Sequence, residues 1–275
     1  MTIALGIDFE DIIHTPAYQS LSNTSEIDID LERITDNMLR LFNEYDVSAT
    51  FFVVSEIAEQ SPGIVKRIAN EGHEIASHTI THASLTNAPP EQCIEEIHES
   101  KSKLESITGS QISGFRAPTC QMNDRAYRQL SEAGYSYSSS VMPCLPIPGF
   151  YSNEYEFKSP TEIVTNTGTL SETPLSVNPS IRLPVSGAWI RLLGRRYLLR
   201  SVRSLIGQNT PVVTYSHPWE FTELQDTELP FRCRVRTGDW MHDTYDKLLQ
   251  TDAEFCTMSE LLETQSPANS YTAAK

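Results

Sequence analysis

Four apolar runs in this chain each stop at a cluster of polar, chemistry-bearing residues. TIALGIDF ends in DFED, HEIAS runs into SHTITH, QISGF precedes RAPT, and TPVVTYS leads into SHPWE. Between the runs the apolar spacing becomes helical, as in Leu31, Ile34, Met38, Leu41, Phe42 and Tyr45. VSATFFVVS has the unbroken apolar character of a strand buried on both faces. Such alternation predicts right-handed β/α units in one parallel sheet or barrel. Strand carboxyl ends then share a rim, and the four polar clusters gather there.

The punctuation supports the same reading. Ser61 is placed to cap a helix that starts at Pro62 and stops at Gly72. A long helix follows PPEQ and ends at Gly109, and NDRAYRQLSEAGY forms another capped helix. From about residue 143 to 187 the rhythm gives way to Pro, Gly, Ser and Thr, which predicts a loop-rich insertion with short strands. AWIRLLGRRYLLRSVRSLIG then reads as one amphipathic helix. A single domain over 1–265 and a disordered tail over 266–275 complete the division.

Composition narrows the function classes. The formal charge is −15, from 36 acidic and 21 basic residues, which disfavours nucleic acid as a partner. Only six of those cations are lysine, a balance that a salt-adapted cytoplasm would select. MTIALGIDFED has no basic n-region or cleavage site, and no run is long enough for a transmembrane helix. The five scattered cysteines contain no CxxC pair and read as free thiols in a reducing compartment, so a cytoplasmic address is expected.

His78 and His82 stand four apart, close to one helical turn, so both imidazoles can face the same way. The HExxH arrangement is absent, because Thr79 follows His78. Two imidazoles and one carboxylate, with positions left for water and substrate, would make a catalytic divalent-metal site.

The ordered set D-x-E-D, H-x-x-x-H, R-x-P and a late strand ending in histidine resembles the polysaccharide deacetylases, the NodB-homology or carbohydrate esterase family 4 group. The likeness spans roughly residues 2 to 262, and HPWE with LPVSGAWIRLLG resembles the exopolysaccharide-associated branch. It implies a distorted (β/α)7 barrel and metal-dependent removal of acetyl from an N-acetylated saccharide, with zinc the first candidate. His78 and His82 match the histidine ligands. In DFED two registers stay open: Glu10 as base with Asp11 as ligand, which is preferred, or Asp8 as base with Glu10 as ligand. Alternation places Asp8 and Glu10 on one strand face. Arg116 would pair with the base, the Thr119 backbone N–H would serve the oxyanion, and His217 would protonate the departing amine. Trp219 would pack against His217 or a sugar face. Ser138 stands where the branch carries an Asp, which puts the tuning of the acid histidine in question.

Other histidines read as structural. His73 is a hydrogen-bonding strand residue, and His14, His98 and His242 are expected to face solvent. Arg191, Arg195, Arg196, Arg200 and Arg203 form a basic helix, either ordinary core packing with a charged outer face or a peripheral dock for anionic glycan or a membrane surface. Rival functions are hydrolysis of another non-peptide C–N bond, as in allantoinase-like relatives, and glycan binding without turnover. Oligomeric state is not legible.

Overall fold

β1 (Thr2–Phe9) is the hub of the computed structural model, which describes residues 2–21, 27, 29–146 and 155–274. Its residues 3 to 9 are buried, which explains the unbroken apolar run. One edge pairs with β8 (Val212–Ser216). The other edge is shared, by β2 (Thr50–Val53) along Gly6–Phe9 and by β9 (Glu254–Cys256) along Thr2–Ala4. β3 (Glu74–Ser77), β4 (Gly114–Phe115) and β5 (Tyr137–Ser138) extend the sheet beyond β2, all parallel. The alternating strand and helix pattern of the sequence is therefore realised.

β6 (Thr161–Val164) and β7 (Thr169–Glu172) form an antiparallel hairpin inside the expected insertion. β7 runs parallel to β5, and the chain beyond it keeps that course. Leu175 N donates to Val141 O at 2.8 Å, and Ser176 N donates to Val213 O at 2.9 Å. Residues 169–177 thus fill the gap between β5 and β8, closing a seven-place barrel β1-β2-β3-β4-β5-β7-β8. The last seam is irregular, because Val213 N is met by the Ser176 hydroxyl at 2.9 Å and not by a backbone carbonyl. That irregularity distorts the (β/α)7 barrel. Residues 147–154 of the insertion lie outside the described residues.

Three expectations are corrected. The helix expected after residue 187 is two, Gly187–Leu193 and Arg195–Gly207, broken where Gly194 takes φ 92. Ser61 occupies the cap position before Pro62 but makes no side-chain capping bond. The tail expected to be disordered contains a strand: β10 (Asn269–Thr272) adds in parallel to the free edge of β6. Tyr271 packs on Tyr155 and Phe157, and the Asp124 carboxylate accepts the Ala274 N–H at 2.7 Å. The short polar tail gave no periodicity from which an edge strand could be read.

Candidate functional site

The four polar clusters follow β1, β3, β4 and β8, and converge on one rim as expected. Asp8 and Glu10, on one face at the end of β1, are both buried, 3% and 2% exposed. They face different partners. Asp8 Oδ1 accepts from Arg116 Nη1 at 2.6 Å, whereas Glu10 Oε2 lies 2.9 Å from His82 Nε2. Glu10, His78 and His82 bring one ligand atom each to within 4.8 Å of one another, the one such group among the described residues.

The preference for Asp11 as ligand is corrected. Asp11 caps the short helix Ile12–His14, its carboxylate accepting from Ile13 N at 3.3 Å, and it stands outside the cluster. Strand alternation decides this. Asp8 and Glu10 point to the rim interior, while Asp11 begins the turn away.

The two histidines are not on a helix. They sit on the loop after β3, where Thr79 (φ 67) and His82 (φ 62) both adopt left-handed backbone. A β-branched residue there is strained, and such strain collects at functional sites. These two reversals bring the rings to 4.9 Å between centroids, something four-residue spacing alone could not show. His78 Nδ1 meets the Arg116 carbonyl at 2.8 Å and His82 Nδ1 the His14 carbonyl at 3.2 Å. With each Nδ1–H donating to a carbonyl, each Nε2 lone pair is left for a metal. His14 is corrected accordingly: it is buried, and its carbonyl meets the His82 ring.

The donor set fits a divalent ion. Glu10 Oε2 is buried and has no well-directed hydrogen bond, although His82 Nε2 is close by. Such an orphaned oxygen is the expected state of a ligand aimed at a shared point. Burial raises the Glu10 carboxyl, but His82, then His217 and His78, pull it well below the ordinary range. Burial pushes His78 down to about 4, against the pull of Asp8, so its imidazole is neutral at pH 7 and able to bind metal.

Arg116 is fully buried and tightly held. Beyond Asp8, its Nε donates to Ser139 O at 2.8 Å and Nη2 to Ser139 Oγ at 3.1 Å, with Phe52 under the guanidinium at 3.8 Å. Gly6, one strand repeat before Asp8, makes room: a Cβ there would stand 2.6 Å from Arg116 Nη1. Thr119 lies in the next turn, also left-handed at φ 57.

His217 closes the opposite side. Its Nε2 is 3.5 Å from Glu10 Oε1, and Trp219 stacks on its ring at 5.0 Å. Trp219 therefore packs against His217, and its indole N–H reaches Glu10 Oε1 at 3.4 Å. The side chain that acts most on His217 is Glu220, the last residue of SHPWE, for which the sequence pattern suggested no role. Glu220 Oε1 lies 3.5 Å from His217 Nδ1, an ion-pair approach without ideal hydrogen-bond direction, and 3.1 Å from Arg191 Nε. Burial disfavours the His217 cation, yet Glu220, ahead of Glu10 and Asp8, outweighs it and lifts the pKa to about 9. Ser138 is buried in hydrogen bonds with Ser140, and Glu172, its register partner on β7, accepts the Ser140 and Val141 N–H groups at 2.8 Å each. β7 thus sets a buried carboxylate beside Ser138, one that accepts hydrogen bonds from Tyr127 and the backbone.

The basic helix divides. Arg191 is buried and bound to Glu220, while Arg196, Arg200 and Arg203 stay exposed. His73 is structural: its Nδ1 accepts from Ala49 N at 3.1 Å, between Phe42 and Phe51. No helix among the described residues is long and apolar enough to cross a membrane.

Residues 22–138 match the family described as polysaccharide deacetylase. That span is a polysaccharide deacetylase (NodB-homology) domain. Residues 139–263 match a second model, described as a domain of unknown function (DUF3473). The two spans meet at the end of β5, inside one barrel, so His78 and His82 come from the first span and His217 with Glu220 from the second. A peptidoglycan-N-acetylglucosamine deacetylase of Bacillus cereus is 33% identical over 101 residues, 37% of this chain and 47% of that protein. The chain therefore spans less than half the length of the curated relatives it matches first. A crystal structure from Mycobacterium smegmatis, given as a candidate polysaccharide deacetylase, superposes with TM-score 0.65 at 20% identity, covering 97% of this chain and 92% of that one. A CE4 family pseudoenzyme from Bacillus anthracis superposes at 0.55 and 12% identity, covering 99% and 69%. The fold is thus that of the CE4 deacetylases.

Proposed function

We propose that this chain is a metal-dependent hydrolase that removes N-acetyl groups from an amino-sugar-containing polysaccharide or glycan precursor. One observation carries the proposal: a complete acid and base pair flanks the Glu10–His78–His82 cluster, Asp8 with Arg116 on one side and His217 with Glu220 on the other. Because a neighbouring fold belongs to a pseudoenzyme, fold alone would not support turnover, and the intact set of side chains does.

His78, His82 and Glu10 would hold the ion through two nitrogens and one oxygen, a donor set suited to catalytic zinc with further positions left open. A bound divalent ion supplies Lewis acidity for the amide carbonyl and makes a water easier to deprotonate. Asp8 takes the proton of the attacking water, and Arg116 holds that carboxylate in place. The Thr119 backbone N–H is the donor assigned to the developing oxyanion. His217, protonated and backed by Glu220, delivers a proton to the departing amine nitrogen. Trp219 fixes the imidazole plane by stacking.

An exopolysaccharide or its lipid- or nucleotide-linked precursor is the substrate class favoured by the motifs HPWE and LPVSGAWIRLLG. The five free cysteines support work in a reducing compartment such as the cytoplasm. Acetate release from N-acetylhexosamine oligomers tests the proposal, with zinc-loaded wild type beside His78→Ala. Release by the wild type alone supports it. Turnover of cyclic amides in its place would shift the reading to the allantoinase-like alternative.

A further inference from the structure

We infer that Glu96, a buried carboxylate on the helix Pro90–Thr108, is the positioning residue that sets the His78–His82 loop for metal binding. This rests on the metal reading proposed above. The inner face of that helix is formed by Cys93, Glu96, Ile97, Ser100 and Leu104. A carboxylate at a core-facing position, 4% exposed, is rare without partners, and here every partner is in the metal-ligand loop. Glu96 Oε2 accepts Ile80 N–H at 2.7 Å and Thr81 N–H at 3.0 Å, and Oε1 accepts the Thr81 hydroxyl at 2.5 Å.

The bonded residues lie between the two left-handed ones. Thr79 at φ 67 and His82 at φ 62 bracket Ile80 and Thr81, whose successive N–H groups turn together as in an anion-binding nest. The anion that fills the nest is the protein's own side chain. Without it, two buried N–H groups lose their acceptor and the strained turn loses the interaction that offsets its cost. The Ser55 and Glu56 N–H groups hold the other side of the loop, donating to Thr79 O at 3.0 Å and Ile80 O at 3.1 Å. Ser100, one turn further along the helix, meets Ser77 at the end of β3 at 2.8 Å. One helix therefore fixes both the strand end that carries His78 and the turn that delivers His82.

Zinc affinity, measured by competition with a chromophoric chelator, tests the inference in full-length wild type, Glu96→Ala, Glu96→Gln, Thr81→Val and Ile97→Ala. Cobalt(II) absorption spectra and apo-protein melting are recorded alongside. Glu96→Ala is expected to bind zinc about 10- to 100-fold more weakly and to alter the cobalt spectrum. Glu96→Gln keeps an acceptor oxygen for the N–H groups and recovers most of that loss, and Thr81→Val loses less. Ile97→Ala, one residue along, lowers the melting temperature and leaves zinc affinity at the wild-type value. Wild-type affinity in Glu96→Ala overturns the inference whatever its melting temperature, as does an equal affinity loss in Ile97→Ala. A wild type that binds no zinc overturns the metal reading and this inference together.

Discussion

Glu220 joins Arg191 to His217: the same oxygen, Oε1, lies 3.1 Å from Arg191 Nε and 3.5 Å from His217 Nδ1. With the pKa of His217 raised to about 9, the cation is favoured below that pH and lost above it. Glu220→Gln removes the largest interaction that raises it. The basic limb of the kcat/KM pH profile for acetate release should move down by about one unit or more, with the acidic limb in place. An unmoved basic limb would remove Glu220 from this role.

Asp8→Asn separates the base from the metal ligands. It should keep stoichiometric zinc yet lower kcat for acetate release by about 100- to 10,000-fold. It should also destabilise the fold by roughly 3 kcal/mol, because the buried Arg116 guanidinium loses its counter-charge. Urea denaturation and metal analysis on the same preparations check both parts.

Two glycines report the two sides of the site. A Cβ on Gly6 would press on the Arg116 guanidinium, and one on Gly187 would overlap the Glu220 carboxylate. Gly6→Ala should lower kcat with the basic limb of the pH profile unmoved. Gly187→Ala should shift the basic limb in the direction of Glu220→Gln. Both should retain zinc within about tenfold of wild type, since neither glycine touches a ligand.

His73 sets part of the acid stability. Burial lowers it to about 4, below the ~6.5 of a histidine in an unfolded chain, so on acidification the unfolded state binds the proton first. Its contribution is complete above pH ~6.5 and is lost progressively down to about 4. Unfolding free energies from urea titrations should therefore fall more steeply across that window in wild type than in His73→Gln, by about 3 kcal/mol in total.

A parallel β/α sheet or barrel was legible because unbroken apolar strands and helical spacing alternate, and the resemblance to the deacetylases chose the barrel. The same pattern put His78, His82, Arg116 and His217 on one rim, while the roles expected of them came from the resemblance to the deacetylases. The choice among Asp8, Glu10 and Asp11 was not, because it depends on where β1 stops and the cap of Ile12–His14 begins. Glu96 and Glu220 were hidden for another reason. A carboxylate on a helix or turn reads as solvated until the fold shows two N–H groups or an imidazole against it. Arg191 was read with the exposed arginines of its segment, although one turn earlier in the chain separates a buried ion pair from a charged surface.

Metal stoichiometry in wild type, Glu10→Ala and Asp11→Ala, measured by elemental analysis after equilibration with zinc, tests the central assignment most directly. The account predicts one zinc per chain in the wild type, retention in Asp11→Ala and loss in Glu10→Ala. Loss in Asp11→Ala with retention in Glu10→Ala would contradict it.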